Sequence, residues 1–376
     1  MARFILKRVL WGFVALLIVV ALAFFAVNLL LPYDYAVGLG QRPRSVTFIR
    51  EQLGLDRPLV IQWLDYMFHF VRGDLGYSYE GLRVSSLVLE VLPTTVGIFA
   101  VGGIVAYLLG EWFGRLVAWS RRRLVASTAN AGSVLLFTAF PPFLVFLLFY
   151  FGVPWLQEAR ASLGLGSRPA PGPPGLMRVL AAGVVVALVG GIVLRGWATR
   201  NDFRVMRLVA VPLGVVGFLG GLVVLGIWDE AIDWLLAPSS VVATSALIII
   251  AFGESMLVMS AGVSQEMAED YVFTARAKGV PESRIRDRHV APNAVFPAIS
   301  RLITSMPYLI AGLVIIEYAT GVFGLGSLFF ASIESGNVPV ILGIVAVVGV
   351  IGVVMRIVLD VVQAMIDPRL REGSSG

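Results

Sequence analysis

Uninterrupted apolar runs, repeated along most of the chain, constrain this sequence more than any other feature. Each is about 20 residues long, enough to cross a hydrocarbon core of about 30 Å as a helix. A helix satisfies its own backbone hydrogen bonds in lipid, so such runs predict membrane-spanning helices. The short alternating segments of a membrane barrel are absent. Hydrophobic residues are 58% of the chain and charged residues 14%, against about 25% charged in a soluble domain. The expected fold class is therefore an all-α polytopic membrane protein with about eight transmembrane helices.

The charges between the runs set the expected topology. Arg3, Lys7 and Arg8 precede the first run, Val9 to Leu31, and place the N-terminus in the cytoplasm. That run is too long for the core of a signal peptide. Residues 32–90 form a long polar segment, expected outside the cytoplasm. Within it, amphipathic stretches such as Leu59 to Phe70 suit short helices on the membrane surface. Long ordered loops are more often functional than idle, so this one is read as a docking or lid surface. Spans follow at Val91 to Val117 and Thr128 to Phe151, within a segment 91–175 that ends in a Pro/Gly-rich linker. Arg121, Arg122 and Arg123 mark the cytoplasmic turn between them. Pro141 and Pro142 lie inside the second of these and predict a kink, with an ordinary bend and a hinge in a pathway both open.

Two further spans, Leu176 to Leu194 and Leu208 to Trp228, occupy 176–239. The remaining region, 240–366, holds spans at Val241 to Val263, Ile299 to Ile316 and Val338 to Met365, with an inner loop at 264–297. Residues 367–376 form a tail. Both ends fall in the cytoplasm. Glu254 lies within a span, where a carboxylate is costly: either it serves a pathway, or it is paired or protonated near the span's end. Glu317 ends the penultimate span and joins Glu254, Pro141 and Pro142 as a candidate for a pathway or gate; Gly321 to Gly336, containing Gly324–Leu325–Gly326, is expected as an outer turn.

The net charge of +5 sits in a few loops and reads as an orientation signal, not as affinity for nucleic acid. No cysteine is present, so thiolate and disulfide chemistry is excluded. No nucleotide-cradling G-x-x-x-x-G-K-[ST] loop, H-E-x-x-H pair or G-x-S-x-G elbow occurs. The two histidines, His69 and His289, fall on opposite sides of the membrane in this topology and cannot share a metal. A catalytic role is not expected, and no cofactor is expected in this chain.

One charged stretch differs from the others. Residues Glu266 to Pro292 have the pattern of two short helices. Glu266, Glu269 and Asp270 stand at the start of the first, Arg276 and Lys278 at its end, as the helix dipole favours. Gly279 follows as a stop and Pro281 forbids continuation. A second helix is expected from Glu282 to about Val290, interrupted by Pro292. Ala275 and Gly279 leave a small-residue notch where a partner could approach. Charged loops flank most spans, so spacing alone leaves a plain solvated loop equally open.

These residues resemble the cytoplasmic coupling loop of binding-protein-dependent ABC transporter permeases, in the dipeptide/oligopeptide/nickel family and its first-permease branch. Asp270–Tyr271, Thr274 to Gly279, Arg288–His289 and Asn293–Ala294 carry the likeness. So do Arg3 to Leu6 with Arg8, Leu53 to Pro58, Gly73 to Gly76 with Ser78, Leu92–Pro93, Glu317 with Gly324 to Gly326, Asp360, and Asp367 to Arg369. Phe273–Thr274 depart from the usual Glu-Ala start, and Val322–Phe323 replace a common Trp-Pro pair. The family usually has six spans, so the pair within 176–239 looks like an insertion.

The resemblance implies a permease subunit of an ATP-driven importer in a prokaryotic inner or plasma membrane, among membrane lipid. Its partners would be a homologous second permease, two ATPase subunits holding ATP and Mg, and an extracytoplasmic solute-binding protein. The ATPase-coupling residues would be Glu269, Asp270, Tyr271, Thr274, Ala275, Arg276, Ala277, Lys278 and Gly279. Peptides, nickel chelates and oligosaccharides are all substrates within that family. The alternatives are a self-contained ion-coupled carrier or channel, for which Glu254 is the candidate residue, and a structural or receptor role.

Overall fold

A computed structural model describes residues 2–30, 56–78, 80–162 and 237–366. Their regular elements are helices, and a single isolated bridge joins Tyr77 to Arg83. In chain order they are α1 (Ala2–Leu30), α2 (Leu59–Val71), α3 (Val84–Ala118), α4 (Arg123–Phe137), α5 (Pro141–Leu147) and α6 (Val153–Ser162), followed by α7 (Pro238–Glu266), α8 (Asp270–Ala277), α9 (Glu282–Arg284), α10 (Ala291–Thr320), α11 (Leu325–Glu334) and α12 (Val338–Ile366). The predicted pair within 176–239 lies largely outside the described residues, as do the tail and residues 31–55.

The centre of the fold is α7, which packs on α3, α4 and α10. In lipid no hydrophobic drive pushes helices together, so close contact depends on small residues. Ala243, Ala246, Ala251 and Gly253 are buried along α7. Gly110 and Gly114 of α3 meet it at Ser255, Met256 and Met259, and a Cβ added at Gly114 would sit 2.8 Å from the Met256 carbonyl oxygen. A Cβ at Gly253 would come as close to the Phe137 nitrogen of α4, 2.8 Å. These crossings are tight enough that one methyl would part them.

A second unit packs α1 antiparallel to α12. Gly12 faces Val353, Leu16 faces Gly349, and Phe24 is buried with Val338 and Leu342. The N-terminus of α1 and the C-terminus of α12 therefore share one end of the molecule. At the other end α2 lies across α1, with Tyr66 against Phe24 (ring centroids 5.7 Å apart) and Trp63 against Phe25 (6.0 Å). The amphipathic stretch expected at Leu59 to Phe70 is this helix.

Among the described residues, three helices are long and apolar enough to cross a membrane unaided: Leu10–Leu29 within α1, Val84–Ala118 and Pro238–Glu266. Up to five spans result if each of two bent pairs counts as one. Both bends correct a sequence expectation. The predicted kink at Pro141–Pro142 is a full break: α4 ends at Phe137, and the axes on either side differ by 103°. The prolines open α5, where a missing N–H costs nothing because the first turn has no partner for it. Likewise the penultimate span does not end at Ile316. It runs to Thr320, and the stretch Gly321 to Gly336, expected as a turn, contains α11, bent 72° from the span before it.

Candidate functional site

The charged stretch Glu266 to Pro292 folds as a helical lever wedged under the ends of three long helices. Its first helix is α8, Asp270–Ala277. Glu266, expected to open that helix, instead closes α7. Glu269 takes the position before the first turn, with Asp270 within it and Arg276 in the last, the order favoured by the dipole. The stop is a Schellman motif: the Val280 N–H reaches the Ala275 carbonyl at 3.2 Å and the Gly279 N–H reaches Arg276 at 2.9 Å. Gly279 sits at φ +71°, with open space where a side chain would project. Its requirement is thus the left-handed backbone, not a close neighbour.

The second helix differs from expectation at its far end. Glu282 to Arg284 continues through a wide π turn, Ile285–Val290, directly into α10. Pro292 does not interrupt it, because it falls in the first turn of α10, where proline fits. The lever is therefore covalently and helically continuous with a long span.

One face of α8 is anchored. Val272 is fully buried with Met259 and Val263 of α7, with Ile285 and Val290, and with Ala291 and Ala294 of α10. Ala118 and Trp119, at the end of α3, close the same cluster. Tyr271 ties the three parts together. Its hydroxyl donates to Glu266 at 2.8 Å and accepts from the Asn293 amide at 3.2 Å. Partial burial and the Glu266 carboxylate push its pKa up, so it stays a donor across the physiological range. Arg276 grips Glu282 at 2.9 Å across the Gly279–Val280–Pro281 corner, and its guanidinium lies 5.8 Å over the Trp119 ring. Asp287 is held below the ordinary carboxylate range, chiefly by its hydrogen bond to Arg286. Arg115 of α3 stands 3.9 Å from the same carboxylate.

The other face is open. Phe273 is 58% exposed. Asp270, Thr274, Ala277, Lys278 and Gly279 are exposed beside it, while Ala275 turns partly inward against the buried cluster. Phe273 is thus the large apolar side chain that α8 leaves open among exposed neighbours.

The remaining candidates lie inside the bundle. Glu254 on α7 is 5% exposed and accepts a hydrogen bond from Arg301 Nε on α10 at 2.9 Å. It is a paired group, not a lone carboxylate. Glu317 is fully buried at the bend between α10 and α11. Its Oε2 accepts the Gly326 N–H at 2.7 Å, while the Leu325 N–H finds the Thr95 hydroxyl at 2.8 Å. Two otherwise orphaned N–H groups of α11 are thereby satisfied from neighbouring helices. Pro141 and Pro142 open α5, just after the break that follows α4. Among the described residues no cluster of three or more His, Cys, Asp or Glu side chains is placed to hold a metal.

Residues 110–372 match the family described as "Binding-protein-dependent transport system inner membrane component", and residues 1–99 match its N-terminal companion family. The chain belongs to this permease family. A Brucella abortus (strain 2308) protein, provisionally named a peptide transport system permease, is 28% identical over 390 residues covering 99% of each chain. An Escherichia coli (strain K12) protein, provisionally named a D,D-dipeptide transport system permease, is 29% identical over 380 residues and 98% of each. The "Glutathione transport system permease protein" of Salmonella choleraesuis (strain SC-B67) is 26% identical over 375 residues and 99% of each. The chain is thus a membrane-embedded permease subunit of a binding-protein-dependent importer.

Two residues of this permease escaped the sequence reading of its site. Phe273 was visible only as a departure from a motif; its signal was an aromatic placed among charges, one residue from buried Val272. Arg301 carried a signal too, a lone cation within an apolar run, which by itself calls for a counter-ion.

Proposed function

We propose that this permease carries peptides or small peptide-like solutes inward, driven by ATPase subunits that dock on the open face of α8. The observation that carries this reading is the two-sided build of that helix. Phe273 and its exposed neighbours face outward, while Val272 and Tyr271 fasten the opposite side to α7, α10 and the end of α3. A push on the open face reaches three long helices through packed side chains, the kind of rigid element that couples two sites. The peptide assignment rests on the names of the full-length relatives. ATP and Mg would be held by the partner subunits, and this chain would not be catalytic. A second permease completes the passage, and a solute-binding protein delivers substrate at the end carrying α2. Both termini then lie in the cytoplasm with α8. The pairing of Glu254 with Arg301 favours this reading over a self-contained ion-coupled carrier, which needs an available mid-membrane carboxylate.

Purification of the chain from its native membrane in mild detergent tests the proposal. It should bring a second permease and ATPase subunits, and a cysteine introduced at Thr274 should crosslink to the ATPase. A chain that purifies alone and transports without ATP would overturn it.

A further inference from the structure

A cavity of about 620 Å³ lies between α1, α10 and α12, a volume in the range of small-molecule sites, roughly 300–1,000 Å³. Its walls are almost wholly apolar. Among the described residues lining it, the two charged ones are Arg8 and Arg356. Both fall at one end. Arg8 precedes the long apolar part of α1, and Arg356 is near the C-terminal end of α12, which runs antiparallel to it. That end is the one bearing the lever, because α10 begins there and its C-terminus meets α11 beside the start of α12.

The dimensions match one leaflet. From Arg8 to Val19 along α1 is about 16 Å at 1.5 Å per residue, and half a hydrocarbon core is about 15 Å. On α10 the lining runs from Thr304 to Val314, about 15 Å by the same rise. A site with cations at the headgroup level and apolar walls one leaflet deep is complementary to one class of molecule. We infer that this cavity binds an anionic phospholipid of the inner leaflet, its phosphate between Arg8 and Arg356 and an acyl chain along α1 and α10. Guanidinium groups suit a phosphate because they can donate two parallel hydrogen bonds to it, and basic pockets between spans on the cytoplasmic side are where such headgroups bind. The bound lipid braces α10, the helix into which the lever runs.

Gly352 supplies a clean test. It lines the cavity, and a Cβ added there meets nothing within 4 Å. Gly352→Phe therefore places a ring in the site from a position with room for its first carbon. The intact transporter, stripped of lipid in detergent, is titrated with phosphatidylglycerol, with phosphatidylcholine or with inorganic phosphate, and its thermal unfolding followed. Phosphatidylglycerol should raise the midpoint saturably by roughly 2–4 °C; the other two should not. The rise should vanish in Arg8→Gln/Arg356→Gln and in Gly352→Phe. Equal responses to both lipids, a response reproduced by phosphate alone, or a rise that survives Gly352→Phe each overturns the site. So does the absence of any rise, the result expected if the second permease fills the cavity in the assembly. If the double arginine variant fails to assemble, the Gly352→Phe comparison decides.

Discussion

Tyr271 and Asn293 meet across the lever, with the Asn293 amide donating to the Tyr271 hydroxyl at 3.2 Å while that hydroxyl donates to Glu266 at 2.8 Å. One phenol oxygen thus links α8, the end of α7 and the start of α10. Tyr271→Phe removes the oxygen and keeps the ring. The fold should lose only about 1 kcal/mol, the net worth of a partly exposed hydrogen bond. Transport should fall more than ATP hydrolysis does, because the lever would tilt without carrying the spans. Parallel measurement of uptake and ATPase rate in proteoliposomes checks this. Equal losses in both rates would mean that Tyr271 serves docking and not transmission.

Phe273 is the expected energetic centre of the docking face. At 58% exposure its removal leaves no cavity, so Phe273→Ala should fold normally. Its affinity for the ATPase subunit should drop by more than 10-fold, as for a central aromatic anchor. Binding of detergent-solubilised permease to immobilised ATPase measures it. An unchanged affinity would place the contact elsewhere.

Gly279 separates backbone from bulk. Its φ of +71° costs a non-glycine residue about 1–2 kcal/mol. Space around it is open, so Gly279→Ala and a bulky replacement carry similar folding penalties. They should differ in coupling: the bulky side chain projects onto the docking face and should uncouple hydrolysis from uptake, while alanine retains most activity. If both variants transport normally, the notch between Ala275 and Gly279 is not a contact.

The legible parts of this protein are those fixed by local rules. Hydrocarbon thickness dictates run length, so α1, α3 and α7 stand out in the sequence. The pattern Asp270…Arg276–Lys278–Gly279–Pro281 spells a helix and its stop; the stop falls where it was expected, while Glu266 belongs to the helix before. The misreadings share a cause. Proline was read as an ending at Pro292 and as a kink at Pro141–Pro142, yet in each case it opens a helix, where its missing N–H is harmless. The turn read at Gly321 to Gly336 hid α11 because Gly324 and Gly326 suggested irregular backbone. They are there because neighbours come close: a Cβ at Gly324 would stand 2.5 Å from the Glu317 carboxyl carbon. Such approaches are products of packing and leave no local trace; the lone cation Arg301 signals the need for a counter-ion, but only packing selects Glu254, 47 positions away.

Arg301 and Glu254 give a thermodynamic cycle. Arg301→Leu leaves a carboxylate that is 5% exposed without its partner, which should cost roughly 3 kcal/mol. Glu254→Gln in the same background should recover most of that loss, since a neutral amide needs no counter-ion. Unfolding midpoints of the four combinations in detergent give the coupling energy. Additive losses would show that the two groups act independently.

Glu317 offers the sharpest distinction between a brace and a pathway carboxylate. Its Oε2 holds the Gly326 N–H, and its Oε1 has no hydrogen-bond partner among the described residues. If the acceptor is what matters, Glu317→Gln keeps a carbonyl oxygen in place and α11 stays docked. Glu317→Leu then strands a buried N–H, at a cost of about 1–3 kcal/mol, and α11 should exchange its amide hydrogens faster than α10 does. If the negative charge matters, because it complements the α11 N-terminus or meets passing solute, Gln should be as damaging as Leu. Hydrogen exchange across Leu325–Glu334, read with uptake for both variants, separates these outcomes. The expected result is protection preserved in Gln and lost in Leu, since two N–H groups at the bend already depend on Glu317 and Thr95 for partners.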